Sequence, residues 1–142
     1  MKKILTFMII FLTISCNSNN KYKIFVNYLN NNFDIIINND AFLFILIPEY
    51  SCKGCISDIL SQLNNINTSK FNQAYIITSK KSVLKLSLSK NFKILYDSNG
   101  ILDKLDLDLG NITIININNN KIRKFKNINI NNNESLDNII NN

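Results

Sequence analysis

Residues 41–55 read AFLFILIPEYSCKGC, and this stretch decides the fold of the chain. Its first seven residues, Ala41–Ile47, are apolar without alternation, which is typical of a strand in the middle of a sheet covered on both faces. After Pro48 the apolar residues recur at helical spacing, on one face of a helix that Ser51 is expected to cap. These residues are Cys55, Ile56, Ile59, Leu60 and Leu63. The stretch therefore predicts a buried strand followed by a helix that carries Cys52 and Cys55 in its first turn.

The segments on either side alternate between helices and strands. The patterns of apolar residues predict helices over Lys21–Asn31, Lys80–Leu88 and Glu134–Ile140, the second with Val83, Leu84 and Leu88 facing inward. They predict further strands over Phe33–Ile37, Ala74–Thr78, Phe92–Tyr96, Ile112–Ile117 and Lys121–Phe125. The last two form a hairpin joined by three Asn, and Asp97–Gly100 is a turn that leads into a short helical segment through Leu105. This alternation predicts an α/β sandwich with a central mixed sheet of four to five strands flanked by helices.

The bulk composition indicates one packed domain. The chain has 142 residues, of which 46% are hydrophobic and 18% charged, and these fractions fit a globule rather than a disordered chain. The formal net charge is +6, but the basic residues are scattered apart from a run over Lys121–Lys126. A nucleic-acid partner is not expected, because it calls for a clustered basic surface with stacking aromatics.

The N-terminus has the features of an export signal. Met1-Lys2-Lys3 is a basic start, and the apolar stretch Ile4–Ile14 is too short to remain as a spanning helix. Ile14-Ser15-Cys16 then resembles the end of a bacterial lipoprotein signal, although Thr13 stands where Leu is usual. The alternative is a simple secretory signal, which would leave Cys16 as an unpaired thiol in an oxidising compartment.

The lipoprotein resemblance implies a division of the chain and a location. Residues 1–16 would be a signal peptide ending at the acylated Cys16, residues 17–20 a polar tether, and residues 21–142 the folded domain. The protein is then expected in the cell envelope, lipid-anchored to a membrane on its extracytoplasmic or periplasmic face.

The order of elements in the domain resembles the thioredoxin-like fold, and within it the redoxin-type, membrane-tethered thiol–disulfide oxidoreductases. The matching segments are Phe42–Ile47, Cys52–Cys55, Phe92–Asp97, Ile112–Asn116 and Lys121–Ile122. The chain departs from the family at two positions. Ser51 stands where a Trp usually precedes the first cysteine, and Gly110 or Asn111 stands where the family has a cis-proline that helps to seat the partner's backbone.

The resemblance implies chemistry at Cys52 and Cys55. At a helix start, Cys52 would be the more acidic thiol and attack a partner disulfide, with Lys53 adding a nearby positive charge. Cys55 would resolve the mixed disulfide, and Glu49 is a candidate to move its proton. The partners implied are protein thiols and disulfides, with no cofactor, and the protein is expected to be a monomer. The mechanism leads us to expect that neither sulfur lies in the interior.

Three other interpretations of the cysteine pair stay open. The pair could be a structural disulfide in a non-catalytic thioredoxin-like binding module, although so short a loop gains little entropy on closure. A metal site is disfavoured, because zinc takes four ligands and the chain has no His and only one further Cys. A peroxidase is suggested by Pro48-x-x-x-Cys52-x-x-Cys55, which is similar to the peroxiredoxin motif with Cys52 in place of its hydroxyl residue. That family also needs an Arg near the thiol, and Arg123, the only Arg, falls within the predicted hairpin.

Overall fold

The described part of the chain forms a mixed β-sheet with helices on both faces. The computed structural model describes residues 19–85, 91–128 and 135–141. The strands are β1 (Phe42–Ile47), β2 (Gln73–Thr78), β3 (Lys93–Tyr96), β4 (Ile112–Asn118) and β5 (Lys121–Ile128). The helices are α1 (residues 19–33), α2 (Lys53–Leu63) and α3 (Leu136–Asn141), with short 3-10 segments at Lys81–Lys85 and Leu102–Lys104. The α/β class and the mixed sheet are thus confirmed.

The strand order in the sheet is β3-β2-β1-β4-β5. Strand β1 runs parallel to β2, which runs parallel to β3, whereas β4 pairs antiparallel with both β1 and β5. All six residues of β1 are buried, as the unbroken apolar run predicts for a central strand. Because β1, β2 and β3 are parallel, the loops that follow them leave the sheet at the same edge.

Alternate residues of β1 divide between two hydrophobic layers. Leu43, Ile45 and Ile47 belong to a cluster that contains the buried faces of α2 and α3. Phe42, Phe44 and Leu46 belong to the cluster on the opposite face, which contains α1. There the rings of Phe25 and Phe44 meet edge to face with centroids 5.1 Å apart, a favourable geometry for aromatic pairs. The sheet therefore has helices on both faces, with β1 at its centre.

The predicted strand over Phe33–Ile37 is wrong. Helix α1 continues to Phe33, whose ring packs edge to face on Tyr28 at 5.6 Å. Asp34 then adopts a φ of 54°, and the N–H of Ile35 donates to the carbonyl of Leu29 at 3.3 Å. A residue in this left-handed region ends a helix. Residues 35–37 form a connection in which Ile36 is 77% exposed, so the β-branched composition reflects no sheet pairing.

The elements after β2 follow the predictions in part. The helix predicted over Lys80–Leu88 is a 3-10 segment at Lys81–Lys85, in which Val83 is buried but Leu84 is 40% exposed rather than inward. Leu88 lies outside the described residues. The turn at Asp97–Gly100 and the helical segment after it are confirmed.

The terminal hairpin is also confirmed. Its strands β4 and β5 are joined by Asn119 and Asn120, with φ of 51° and 56°. Positive φ at both turn residues matches the right-handed twist of a two-residue hairpin, and Asn tolerates it better than other non-glycine residues. The predicted last helix is α3, while Glu134 lies outside the described residues.

The predicted signal and Cys16 lie outside the described residues. Residues 19 and 20 of the expected tether already belong to α1. Among residues 19–85, 91–128 and 135–141, no helix combines the length and apolarity needed to cross a membrane.

Candidate functional site

The predicted cysteine pair lies at the edge of the sheet where the three parallel strands end. The turn Pro48–Ser51 follows β1, Ser79 and Lys80 follow β2, and Asp97 follows β3. In open α/β sheets, sites form at the carboxyl ends of the strands, because the loops meet there.

The two cysteines form a disulfide at the start of α2. Their Cα atoms are 5.2 Å apart. Cys52 is the N-cap residue of α2, with extended backbone, and its Sγ accepts a hydrogen bond from the N–H of Cys55 at 3.0 Å. The prediction that Ser51 caps this helix is therefore wrong, because the sulfur of Cys52 accepts the hydrogen bond that a capping oxygen would accept.

The two sulfur-bearing residues differ in exposure. Cys52 is exposed, as expected. Cys55 is only 3% exposed, so the expectation that neither sulfur lies in the interior is wrong for this residue. Cys55 lies on the face of α2 that packs against the sheet with Ile56 and Ile59. An outside molecule can thus approach the disulfide from the side of Cys52.

Two hydrogen bonds tie the turn before Cys52 to the loop before β4. The hydroxyl of Ser51, which is 2% exposed, donates to the carbonyl of Asn111. The hydroxyl of Tyr50 donates to the carbonyl of Leu109 at 3.1 Å. Ser51 and the Gly110–Asn111 segment, the two positions at which the sequence departs from the redoxin-type pattern that it resembles, are therefore in contact with each other.

The loop before β4 is itself held by Asn127. The side-chain oxygen of Asn127 accepts hydrogen bonds from the N–H of Gly110 at 3.0 Å and from the hydroxyl of Thr113 at 2.7 Å. Its amide nitrogen donates to the carbonyl of Asp108 at 2.9 Å. A Cβ atom on Gly110 would lie 2.9 Å from the Cβ of Asn127, so this position accepts only glycine without displacement. Strand β5 thus fixes the loop that Tyr50 and Ser51 contact.

Lys80 is a site residue that the sequence analysis missed. Its Nζ donates to the carbonyl oxygens of Glu49 at 2.8 Å and Ser51 at 2.7 Å, both in the turn that leads into Cys52. One feature of the sequence could have indicated it: Lys80 follows a strand that is joined to β1 through the predicted helix after Cys52. Strands joined in this way usually run parallel, and the loops that follow parallel strands converge.

Of the other predicted site residues, Lys53 and Glu49 lie within three residues of Cys52 in the sequence. Lys53 is the first residue of α2 and is exposed. Glu49 is exposed, and its N–H donates to a side-chain oxygen of Asp103 at 2.7 Å. Neither residue's proposed role is tested by this geometry. The predicted lipid attachment at Cys16 falls outside the described residues.

Acidic residues brace this edge of the sheet. The side chain of Asp97, 4% exposed, accepts hydrogen bonds from the hydroxyl of Tyr28 at 3.1 Å and the N–H of Leu102 at 2.6 Å. Burial, and then the charge of Asp97, raise the pKa of Tyr28. Burial, and then the charge of Asp103, raise the pKa of Tyr50. Both carboxylates accept hydrogen bonds from neighbouring backbone and side-chain groups, so their role here is to hold the loops at this edge in place.

The position of Arg123 argues against the peroxidase interpretation. Arg123 lies in β5 between the pairs Asn116–Lys124 and Ile117–Ile122. Ile117 pairs with Phe42, the first residue of β1, whereas Cys52 follows the last residue of β1. The guanidinium-bearing residue thus belongs to the opposite end of the sheet from the disulfide.

No protein-family model, curated protein or solved structure matches this chain at a significant level. Within the described ranges, no three His, Cys, Asp or Glu residues are grouped so that they could hold a metal ion. What the site can do therefore follows from its own chemistry: a disulfide of Cys-x-x-Cys spacing at a helix start, with one exposed and one buried cysteine.

Proposed function

We propose that this chain is a thioredoxin-like thiol–disulfide oxidoreductase, anchored to a membrane through Cys16, that exchanges disulfides with partner proteins through Cys52 and Cys55. The observation that carries the proposal is the unequal placement of the two cysteines. Cys52 is exposed and caps α2, whereas Cys55, to which it is bonded, is buried. The burial of Cys55 goes against the expectation that neither sulfur lies in the interior. The exchange nevertheless requires only Cys52 to meet the partner, because Cys55 attacks a sulfur of its own chain.

The backbone around Cys52 favours a thiolate there. The N–H of Cys55 points at the Cys52 sulfur, and α2, with 11 residues, directs the positive end of its dipole at the same atom. Both interactions strengthen when reduction leaves a negative charge on the sulfur. A thiolate is the species that attacks a disulfide, so the helix start prepares Cys52 for that role.

The exchange takes two displacements. The Cys52 thiolate attacks one sulfur of a partner disulfide, a mixed disulfide forms, and the other partner sulfur leaves as a thiolate. Cys55 then loses its proton, for which the exposed carboxylate of Glu49 is the proposed acceptor, and attacks the Cys52 sulfur. The bond to the partner breaks, the partner leaves as a second thiolate, and the Cys52–Cys55 disulfide is restored. The partner has gained two electrons; the reverse sequence oxidises a partner dithiol.

The membrane anchor is supported by the sequence. The basic start, the apolar stretch Ile4–Ile14 and the following Cys16 are arranged as in acylated bacterial proteins, and acyl chains hold a protein on a bilayer without a spanning helix. A Cys16→Ser chain is expected to leave the membrane fraction, while its disulfide chemistry is retained. Retention of the Cys16→Ser chain in washed membranes would contradict the anchor.

A second candidate function has an observation in its favour. Cys55 belongs to the same hydrophobic cluster as Ile56 and Ile59, and a half-cystine in a core is typical of a stabilising bond. In this case the chain would be a non-catalytic binding module. Reduction potentials separate the two candidates: catalytic pairs lie between about −120 and −270 mV, and structural disulfides below about −300 mV.

Trapping tests the proposal directly. The full-length chain carrying Cys55→Ser is reduced and mixed with a peptide disulfide, and a mixed disulfide at Cys52 is expected to accumulate because no thiol resolves it. The matched Cys52→Ser chain keeps only the buried cysteine of the pair and is expected to form far less adduct. Equal adduct formation by the two variants, or none by either, would refute the proposed exchange.

A further inference from the structure

We infer that Lys80 is a positioning residue for this exchange: its ammonium group fixes the turn before Cys52 and stabilises the thiolate that reduction creates there. The inference rests on the proposed function, since it concerns the same disulfide. It assigns to Lys80 a larger part of the electrostatic role that the sequence pattern suggests for Lys53.

The ammonium group of Lys80 makes two hydrogen bonds to the backbone of the turn before Cys52. Its Nζ lies 2.8 Å from the carbonyl oxygen of Glu49 and 2.7 Å from that of Ser51. Hydrogen bonds from an ionised donor are about twice as strong as neutral ones. The carbonyl group of Ser51 belongs to the peptide bond that leads into Cys52, so the ammonium is one peptide unit from the backbone of the exposed cysteine.

The backbone of Lys80 is fixed to the end of β1. Thr78 is completely buried, and its hydroxyl donates to the carbonyl of Ile47 at 2.9 Å. The hydroxyl oxygen of Thr78 also accepts a hydrogen bond from the N–H of Lys80 at 3.0 Å. Lys80 is therefore anchored to both ends of the Pro48–Ser51 turn, through its backbone on one side and its ammonium on the other. Lys53 is exposed, and its charge is screened by solvent.

Asp103 is a second charged residue that holds the turn before Cys52, at the end away from the cysteine. Asp103 accepts the N–H of Glu49 and the hydroxyl of Ser79, so a carboxylate holds the start of the turn. The ammonium also holds the end of the turn, at Ser51, and this end leads to Cys52. The positive partner is therefore nearer along the chain to the sulfur than the negative one.

This arrangement has a redox consequence. The disulfide carries no charge, whereas the reduced pair carries a thiolate at Cys52, so a fixed positive charge stabilises the reduced form. Loss of that charge makes the Cys52 thiol less acidic and the disulfide harder to reduce. The expected size is a shift of about half to one pH unit in the half-point of alkylation, which is roughly a threefold to tenfold change in thiolate population.

A graded set of variants separates charge from hydrogen bonding. Lys80→Arg keeps both, Lys80→Gln keeps a donor without charge, and Lys80→Met keeps neither. Lys81→Met is the matched control, because it removes the same charge from the next residue, which is exposed. Lys53→Met measures how much the charge of Lys53 contributes to the acidity of the Cys52 thiol.

Two readouts are taken on the full-length chain. The first is the rate of iodoacetamide alkylation at Cys52 against pH, followed by mass spectrometry of the peptide. The second is the equilibrium with glutathione, in which a tenfold change corresponds to about 30 mV. We expect the half-point to rise and the disulfide to become up to tenfold harder to reduce in Lys80→Gln and Lys80→Met. Lys80→Arg and Lys81→Met are expected to match the parent, and Lys53→Met to shift less than Lys80→Gln.

The outcomes separate this inference from the proposed function. If the Lys80 variants melt at lower temperature but keep the parental half-point and glutathione equilibrium, Lys80 is only structural and the inference is overturned, while trapping by Cys55→Ser still supports the function. If Cys55→Ser traps no mixed disulfide but the half-point of Cys52 alkylation depends on Lys80, the proposed function is refuted, while the effect of Lys80 on the Cys52 thiol is confirmed. If Lys80→Met fails to fold, Lys80→Gln and Lys80→Arg are compared instead. Equal half-points in these two variants would overturn the inference.

Discussion

Gly110→Ala is expected to destabilise the protein, whereas Gly54→Ala is expected to stabilise it. A Cβ atom on Gly110 would lie 2.9 Å from the Cβ and 3.0 Å from the Cγ of Asn127. Asn127 cannot turn away cheaply, because its side chain makes hydrogen bonds to Gly110, Thr113 and Asp108. At Gly54, within α2, an added Cβ meets nothing within 4 Å.

The magnitudes follow from these contacts. Overpacking by one methyl group costs about 1–3 kcal/mol, and displacement of Asn127 would sacrifice hydrogen bonds worth about 1 kcal/mol each. We therefore expect Gly110→Ala to lose about 2 kcal/mol. Alanine is favoured over glycine in the middle of a helix by roughly 0.5–1 kcal/mol, and Gly54→Ala, at the second residue of α2, should gain up to that amount. For a domain of this size, about 4 °C in melting temperature corresponds to each kcal/mol.

The assay is urea unfolding of the oxidised chain, followed by circular dichroism, with a double-mutant cycle. Asn127→Gly removes the atoms that the new Cβ would meet, so Gly110→Ala should cost much less in that background. The reasoning is refuted if Gly110→Ala is neutral in the parent chain, or if its cost is unchanged when Asn127 is replaced. A loss of stability in Gly54→Ala would contradict the control.

Two further predictions concern the same edge of the sheet. Ser51→Ala should lower the free energy of unfolding by about 1–3 kcal/mol in urea titrations, because it leaves the carbonyl of Asn111 without its buried donor; a neutral Ser51→Ala would show that water replaces the hydroxyl. The raised pKa of Tyr28, caused first by burial, predicts stability that is intact below pH 10 and falls above it, since the unfolded chain then releases a proton that the folded chain keeps. Tyr28 alone should lower the free energy of unfolding by about 1.4 kcal/mol for each pH unit above 10. Tyr28→Phe should reduce the measured slope of unfolding free energy against pH by that amount. An unchanged slope would contradict the raised pKa of Tyr28.

The centre of the fold was predictable from sequence because its signals are long and consistent. The apolar run of β1 and the helical spacing after Cys52 agree with each other and with burial in the structure. The strand expected over Phe33–Ile37 failed because β-branched composition alone does not provide a pairing partner. Phe33 gains more by extending α1 and packing on Tyr28.

The candidate site was predictable only where the chemistry is local. Cys52 and Cys55 are identified by their spacing, but the cap at the helix start depends on tertiary contacts. Ser51 has the right side chain for a cap, yet its hydroxyl is taken by Asn111, a residue 60 positions further along. Lys80 reaches the turn from the loop after the neighbouring strand, β2. No local pattern contains the information that brings such residues together.

The turn that leads into Cys52 is held from three directions, although the chain lacks the tryptophan and the proline of the redoxin-type pattern that its sequence resembles. Lys80 holds it from the loop after β2, Asp103 from the segment after β3, and Asn111 from the loop before β4. A tryptophan and a proline would order the same region by bulk and by a stiff backbone. Here hydrogen bonds from the surrounding loops supply the order. If this is how Cys52 is placed, its reactivity should respond more strongly to changes at Lys80 and Ser51 than to changes at exposed positions within the Cys-x-x-Cys segment itself.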